Sequence, residues 1–157
     1  SELSSLIDFF LDALPERLRR ESVCESRFHG DFIPWNLKAS NRGNSDLSVI
    51  DWEYYEPHSL PLTDLAYFCF FESYHLGQSS EDELVEIALE SIRKKEVQSL
   101  ADAANIPPDA VSWFFVAGLL EFAAKRIKHG LDGSDITIPI ILRLVQGLVE
   151  EIRRNGA

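Results

Sequence analysis

The 157-residue sequence contains no methionine, only two cysteines, and no apolar run approaching the roughly 20 residues that span a bilayer. The missing run excludes a transmembrane helix. The amino-terminal stretch also lacks the basic-then-apolar pattern of a secretory signal, so we expect a cytoplasmic protein without a membrane partner. Cys24 and Cys69 fall in different predicted elements and lack metal-ligand spacing. That excludes a disulfide framework or a zinc site and leaves two buried or half-buried free thiols. Basic charge is scarce too. A net charge of −11 leaves no cationic face to displace counterions, so general nucleic-acid binding is excluded. There is no repeat with a 20-to-50-residue period and no low-complexity tract. The want of methionine in a chain that starts at Ser1 leads us to expect a processed or excised piece of a longer polypeptide.

What is present is enough for one domain over residues 1–157, which on general scaling buries about 70% of its unfolded surface without staples. Leu3, Leu6, Ile7, Phe10, Leu11 and Leu14 form one helical face that stops near Pro15. Residues 24–28 and 37–40 read as short extended pieces, and 47–51, "LSVID", as the clearest strand, following the turn-forming "SNRGNSD". A small hairpin is expected there. A Pro-containing loop at 56–61 leads into a buried helix closed by Gly77. Ser80 and Glu83 then make a capping-box signature for a helical stretch to about residue 104, with a break near "RKKE". Pro107 and Pro108 open the next helix, whose apolar stripe runs from Val111 to Ile127 and stops at Gly130. Ile141, Leu144, Val145, Leu148, Val149 and Ile152 mark a last helix, with Pro139 in its first turn. The fold class is mainly α with a small β hairpin. The basic groups at 93–95 and 125–128 read as solvated helix faces with i to i+4 pairs.

Chemistry concentrates in "FHGDFIPWNLK", residues 28–38, where Asp31 and Asn36 punctuate an otherwise apolar loop. Phosphoryl transfer needs a carboxylate to take the proton of the attacking hydroxyl and oxygen ligands to hold magnesium against the phosphates. The D-x-x-x-x-N spacing of Asp31 and Asn36 matches the kinase catalytic loop, and Asp51 adds a third oxygen donor directly after an apolar strand. Phe32, Ile33 and Trp35 are expected to anchor the loop to the helices beneath, with Trp52 and Trp113 as further packing residues.

On "HGDFIPWN" at 29–36, "VIDWE" at 49–53 and "PLTDLAYF" at 61–68, the sequence resembles the aminoglycoside phosphotransferase and choline kinase-like family, relatives of the protein kinases. The resemblance covers most of the chain as a carboxyl-terminal lobe, with a catalytic loop at 28–38, a metal-binding segment at 47–53 and acceptor-side helices over 80–155. It implies that Asp31 is the catalytic base and that Asn36 and Asp51 bind Mg2+. His29 and Asp64 become supports of the loop. Glu53 becomes a further metal ligand if it shares a side of an extended segment with Asp51. Glu121 is a candidate for recognising a cationic acceptor. ATP is the implied co-substrate and a small-molecule hydroxyl compound the acceptor.

The sequence departs from that family in one large respect. No glycine-rich loop followed by a strand lysine occurs, and only about 28 residues precede the catalytic loop, so the amino-terminal lobe that covers the nucleotide is absent. The expectation is a lobe that is inactive alone. The alternatives are a non-catalytic kinase-like module for binding or assembly, and metal-dependent hydrolysis by the same carboxylates, which lacks the usual histidine ligands.

Overall fold

A computed structural model describes residues 2–14, 16, 18, 22–39, 47–130 and 137–154. Six helices carry it: α1 (Glu2–Ala13), α2 (Thr63–Phe71), α3 (Glu81–Arg93), α4 (Lys95–Ala103), α5 (Val111–Lys128) and α6 (Thr137–Arg154). Four short strands, β1 (Ser26–Phe28), β2 (Leu37–Ala39), β3 (Leu47–Val49) and β4 (Glu56–Ser59), form two antiparallel pairs, β1 with β4 and β2 with β3. The protein is mainly α with a small β part. The expected stop at Pro15 and the turn before β3 lie outside the described residues.

Helix α5 is the axis of the core. Its sequence is apolar around most of its circumference because it is covered on two sides, by α2 and by α6. Trp113, Phe115, Val116, Leu119 and Phe122 are each no more than 1% exposed, and burying a side chain of this size contributes about 1.5–3 kcal/mol. The stripe does not extend to Ile127, which is exposed. Gly130 then takes φ +88, the left-handed geometry that ends helices at glycine. Helix α6 is amphipathic by contrast, burying Ile141, Leu144, Val145, Leu148, Val149 and Ile152 and exposing its charges.

Two close approaches fix α2 on α5. A Cβ at Gly118 would stand 3.0 Å from Thr63 Cα, so the missing side chain lets the backbones meet. Four residues later Phe122 stacks on Tyr67, with ring centroids 3.6 Å apart and planes at 13°. Helix α2 runs on into a π turn at Glu72–Leu76. At the start of α3 the Ser80 N–H and hydroxyl both donate to Glu83 Oε2, at 2.8 and 2.7 Å, and extended backbone at Lys94 separates α3 from α4 within "RKKE".

Residues 56–59, expected in a loop, are strand β4. Its Pro57 has no N–H to give, which suits the edge of a two-stranded pair. Cys69 is half-buried, but Cys24 is exposed, because it flanks β1 at the surface. Within the basic run 125–128 Lys128 is exposed and Lys125 makes the expected i to i+4 pair with Glu121, but Lys125 is not on a solvated face. Its side chain is 9% exposed, and Nζ lies 3.2 Å from Glu56 and 3.2 Å from Glu121. It also donates to the His58 carbonyl at 3.0 Å and sits 4.3 Å from the centre of the Phe28 ring. Lys125 therefore ties α5 to the β1–β4 pair.

Glu56 completes that junction with Lys128 at 3.0 Å. The Lys128 hydrogen bond, followed by Lys125, pulls the Glu56 carboxyl down to about 2 from an ordinary 4.5, against burial, which raises it. A carboxylate whose folded pKa lies below its unfolded one stabilises fully above the unfolded value and loses that contribution as pH falls through the folded value. Glu56→Gln should therefore be less stable than the native chain at neutral pH. The difference should shrink between about pH 4.5 and about pH 2. Urea unfolding across that window checks it, and a gap that does not change with pH would contradict the ion-pair account.

Candidate functional site

The loop at 28–38 turns at Gly30, and nothing larger fits there. Its φ is +87, and a Cβ would stand 2.5 Å from Tyr54 Cβ and 2.9 Å from a ring carbon of Phe28. On either side of that turn one carboxylate holds the backbone. The His29 N–H donates to Asp64 Oδ2 at 2.7 Å and the Gly30 N–H to Oδ1 at 3.1 Å. Asp64 lies in the first turn of α2, where the helix dipole favours a negative charge. Burial pushes its carboxyl above the ordinary aspartate range, while the two N–H groups draw it back.

His29 passes the constraint to the next strand. The Asp31 N–H points at Nδ1 at 3.2 Å, so Nδ1 is the bare nitrogen, and Nε2 carries the proton that it donates to the Ile50 carbonyl at 2.9 Å. The Ile50 N–H in turn donates to the Asn36 carbonyl at 3.0 Å, continuing the β2–β3 ladder by one rung. The side-chain amide of Asn36 then closes the loop, with Nδ2 donating to the Asp31 carbonyl and to Asp31 Oδ2, both at 2.9 Å. Asp31 and Asn36 thus meet across five residues. Asn36 is 8% exposed and Asp31 half-buried.

Asp51 is the residue after Ile50, held beside Asn36 by that rung. It is exposed, has φ +67, and makes no hydrogen bond among the described residues. The left-handed backbone there removes the premise for Glu53 as its partner. Residues 51–53 are not an extended segment, and the Tyr55 N–H donates to the Trp52 carbonyl at 3.2 Å to close a turn. The neighbouring Glu53 carboxylate is the main reason that the Tyr54 phenol titrates above its ordinary range.

Glu121 lies away from these groups, with its carboxylate committed inside the protein. Oε2 accepts from the Leu60 N–H at 2.8 Å, Ser59 Oγ at 2.9 Å and Thr63 Oγ1 at 2.7 Å, and Oε1 faces Lys125. It braces the entry to α2. Lys125 and Glu56, the other members of that brace, escaped the sequence reading. The signal was a lysine inside the apolar stripe of α5, four residues after a glutamate.

The apolar residues of the loop divide differently from expectation. Phe32 packs on Phe68 with centroids 5.6 Å apart, and Ile33 lies against the core. Trp35 is 55% exposed, edge-on to Phe71, because the Pro34–Asn36 turn carries it outward as it carries Asn36 inward. Trp52 is also exposed, on the His29 ring at 4.5 Å, and only Trp113 of the three tryptophans is a core residue. A cavity of about 410 Å3 lies behind the loop, lined by His29, Phe32, Trp52, Asp64 and Leu100 among others. Asp31, Asn36 and Asp51 are not part of its wall.

No family model, curated protein or solved structure matches the chain. The fit of a cation is therefore judged on the donors alone. Among the described residues no three His, Cys, Asp or Glu side chains gather into a metal cage. Because Asn36 turns its Nδ2 toward Asp31, its Oδ1 is the oxygen left over, and among the described residues neither that oxygen nor the Asp51 carboxylate takes a hydrogen bond. One carboxylate and one amide oxygen suit magnesium, which keeps waters and takes its remaining ligands from phosphates.

Proposed function

We propose that the chain is the catalytic carboxyl-terminal lobe of an ATP-dependent phosphotransferase that acts on a hydroxyl of a sugar, aminoglycoside or choline-like molecule, and that it is idle until a nucleotide-covering lobe is supplied. The observation that carries this reading is the closed chain of hydrogen bonds from Asp64 through His29, Ile50 and Asn36 to Asp31. It holds a carboxylate, an amide oxygen and the residue Asp51 on one short ribbon.

In this reading Asp31 accepts the proton of the acceptor hydroxyl as its oxygen bonds to the γ-phosphorus and the bond to the β-phosphate oxygen breaks, releasing ADP. Asn36 Nδ2 holds Oδ2 of Asp31, which leaves Oδ1 to face the hydroxyl. Asn36 Oδ1 and Asp51 are the groups that would hold magnesium. Magnesium, when bound, neutralises charge on the phosphate oxygens. His29 and Asp64 touch none of the reacting atoms and act by fixing the loop.

Manganese titration followed by amide NMR tests this. The amides of residues 31, 36 and 51 should broaden together at millimolar metal, and ATP should lower the metal concentration required, since its phosphates complete the coordination shell. Asp51→Asn should raise that concentration about tenfold, the equivalent of ~1.4 kcal/mol. Broadening confined to other acidic surfaces would sink the metal assignment. A midpoint indifferent to ATP would favour the non-catalytic module.

A further inference from the structure

Independently of the proposed phosphotransfer, the cavity of about 410 Å3 behind the loop at 28–38 has the size of a small-molecule pocket. Phe32, Trp52, Pro61, Leu65 and Leu100 supply most of its apolar wall, and Trp52 and Leu100 are exposed, so the cavity opens to solvent beside them. Nearly every polar side chain on the wall is already engaged. The Ser26 hydroxyl donates to the Leu60 carbonyl at 2.9 Å, and the Thr63 hydroxyl lies between that carbonyl and Glu121. Asp64 takes the His29 and Gly30 N–H groups, and both ring nitrogens of His29 have partners. The Trp52 Nε1–H donates to the Val49 carbonyl at 2.9 Å, Glu25 meets His58 at 2.8 Å, and Cys24 Sγ accepts from Asn105 Nδ2 at 3.2 Å. Arg27 is the exception. It is exposed, and among the described residues its guanidinium has neither a hydrogen bond nor an ion pair. In β1 it precedes Phe28, which enters the core, so the alternation of the strand sends Arg27 to the opposite face.

We infer that this cavity binds a small organic acid with a ring-sized apolar body and one carboxylate, the body held by Trp52, Phe32 and Leu100 and the carboxylate by the Arg27 guanidinium. The apolar wall favours a body that leaves water. The planar fork of a guanidinium matches a carboxylate with two parallel N–H donors. A second negative charge on the ligand would meet Glu25 and Asp64 on the same wall, which restricts the class to monoacids. An amine would be repelled by Arg27 and would find both wall carboxylates bonded to other groups.

The probes are 2-naphthoate, 2-naphthamide and 2-naphthylmethylamine, which share a ring system and differ in charge. In an NMR titration naphthoate should move the Trp52 indole N–H and the amides of Arg27 and Leu100 saturably, and leave the Trp113 indole in place. It should bind about fivefold more tightly than naphthamide, the ratio that ~1 kcal/mol at an exposed guanidinium supplies, and the amine should bind most weakly. Arg27→Met keeps the length of the side chain and removes its charge. It should bring naphthoate down to the affinity of naphthamide and leave naphthamide as it was. Trp52→Ala should weaken both probes alike. The absence of a saturable shift with naphthoate, equal affinity for naphthoate and naphthamide in the native chain, a preference for the amine, or a naphthoate preference that survives Arg27→Met would each overturn the inference.

Discussion

Asp64→Asn should lower stability by about 2 kcal/mol and loosen the loop at 28–38, although it changes one atom. The carboxylate accepts from two adjacent backbone donors, His29 N–H and Gly30 N–H, one on each oxygen. An amide has one acceptor. Whichever way it turns, an NH2 group meets an N–H, and His29, at 2% exposure, has no water to turn to. Relief of a partly buried charge works in the opposite direction, since burial raises the Asp64 pKa. Hydrogen bonds to a charged acceptor contribute about 1.5–3 kcal/mol each, so the loss outweighs the relief. Urea unfolding measures the first effect. The second is that manganese broadening at residues 31, 36 and 51 should spread or vanish, although none of those residues has been altered. Native stability together with a native metal response would show that the clamp at His29 and Gly30 is dispensable.

Glu121→Ala should cost about 3 kcal/mol, toward the lower end of what removing one partner of a buried pair costs. The side chain is 22% exposed, which tempers the figure. Its removal leaves the Leu60 N–H and the Ser59 hydroxyl without their acceptor, turns the Thr63 hydroxyl to the Leu60 carbonyl at 2.9 Å, and leaves Lys125 with Glu56 as its remaining carboxylate among the described residues. Ser59 is buried, so its hydroxyl does not recover water. A loss below about 0.5 kcal/mol, the scale of an exposed pair, would mean that the junction is wetter than its geometry indicates. Glu121→Gln should fall between the two, since it keeps one oxygen for the donors and surrenders the charge opposite Lys125.

The helices were legible in the sequence because apolar spacing and capping residues act over one or two turns. Ser80 with Glu83, the break in "RKKE" and the inward face of α6 all have local causes. The β1–β4 pair was not legible. Strands of three and four residues are too short for alternation to register, and Pro57 reads as loop unless its edge position is known. The same limit explains Trp35. Its neighbours are apolar, and only the turn at Pro34 reveals that it faces outward. The pairing of Lys125 with Glu56 spans 69 positions of sequence, a separation that periodicity cannot read. Within the site, spacing pointed to Asp31 and Asn36, and the structure joins them. The left-handed backbone at Asp51 left no mark on composition or pattern, and with it went the case for Glu53.

Gly118 ties these matters together mechanically. Where α5 presses against Thr63 there is no slack for even a methyl group. Asp64 springs from α2 beside that contact, and Glu121 follows one turn later on α5. The loop bearing Asp31 therefore inherits its tolerances from a gap between two helices that contains none of the candidate reactive groups. A widening of a few tenths of an ångström there would reach the Asp64 clamp, so the alignment of this site is a property of the helical frame.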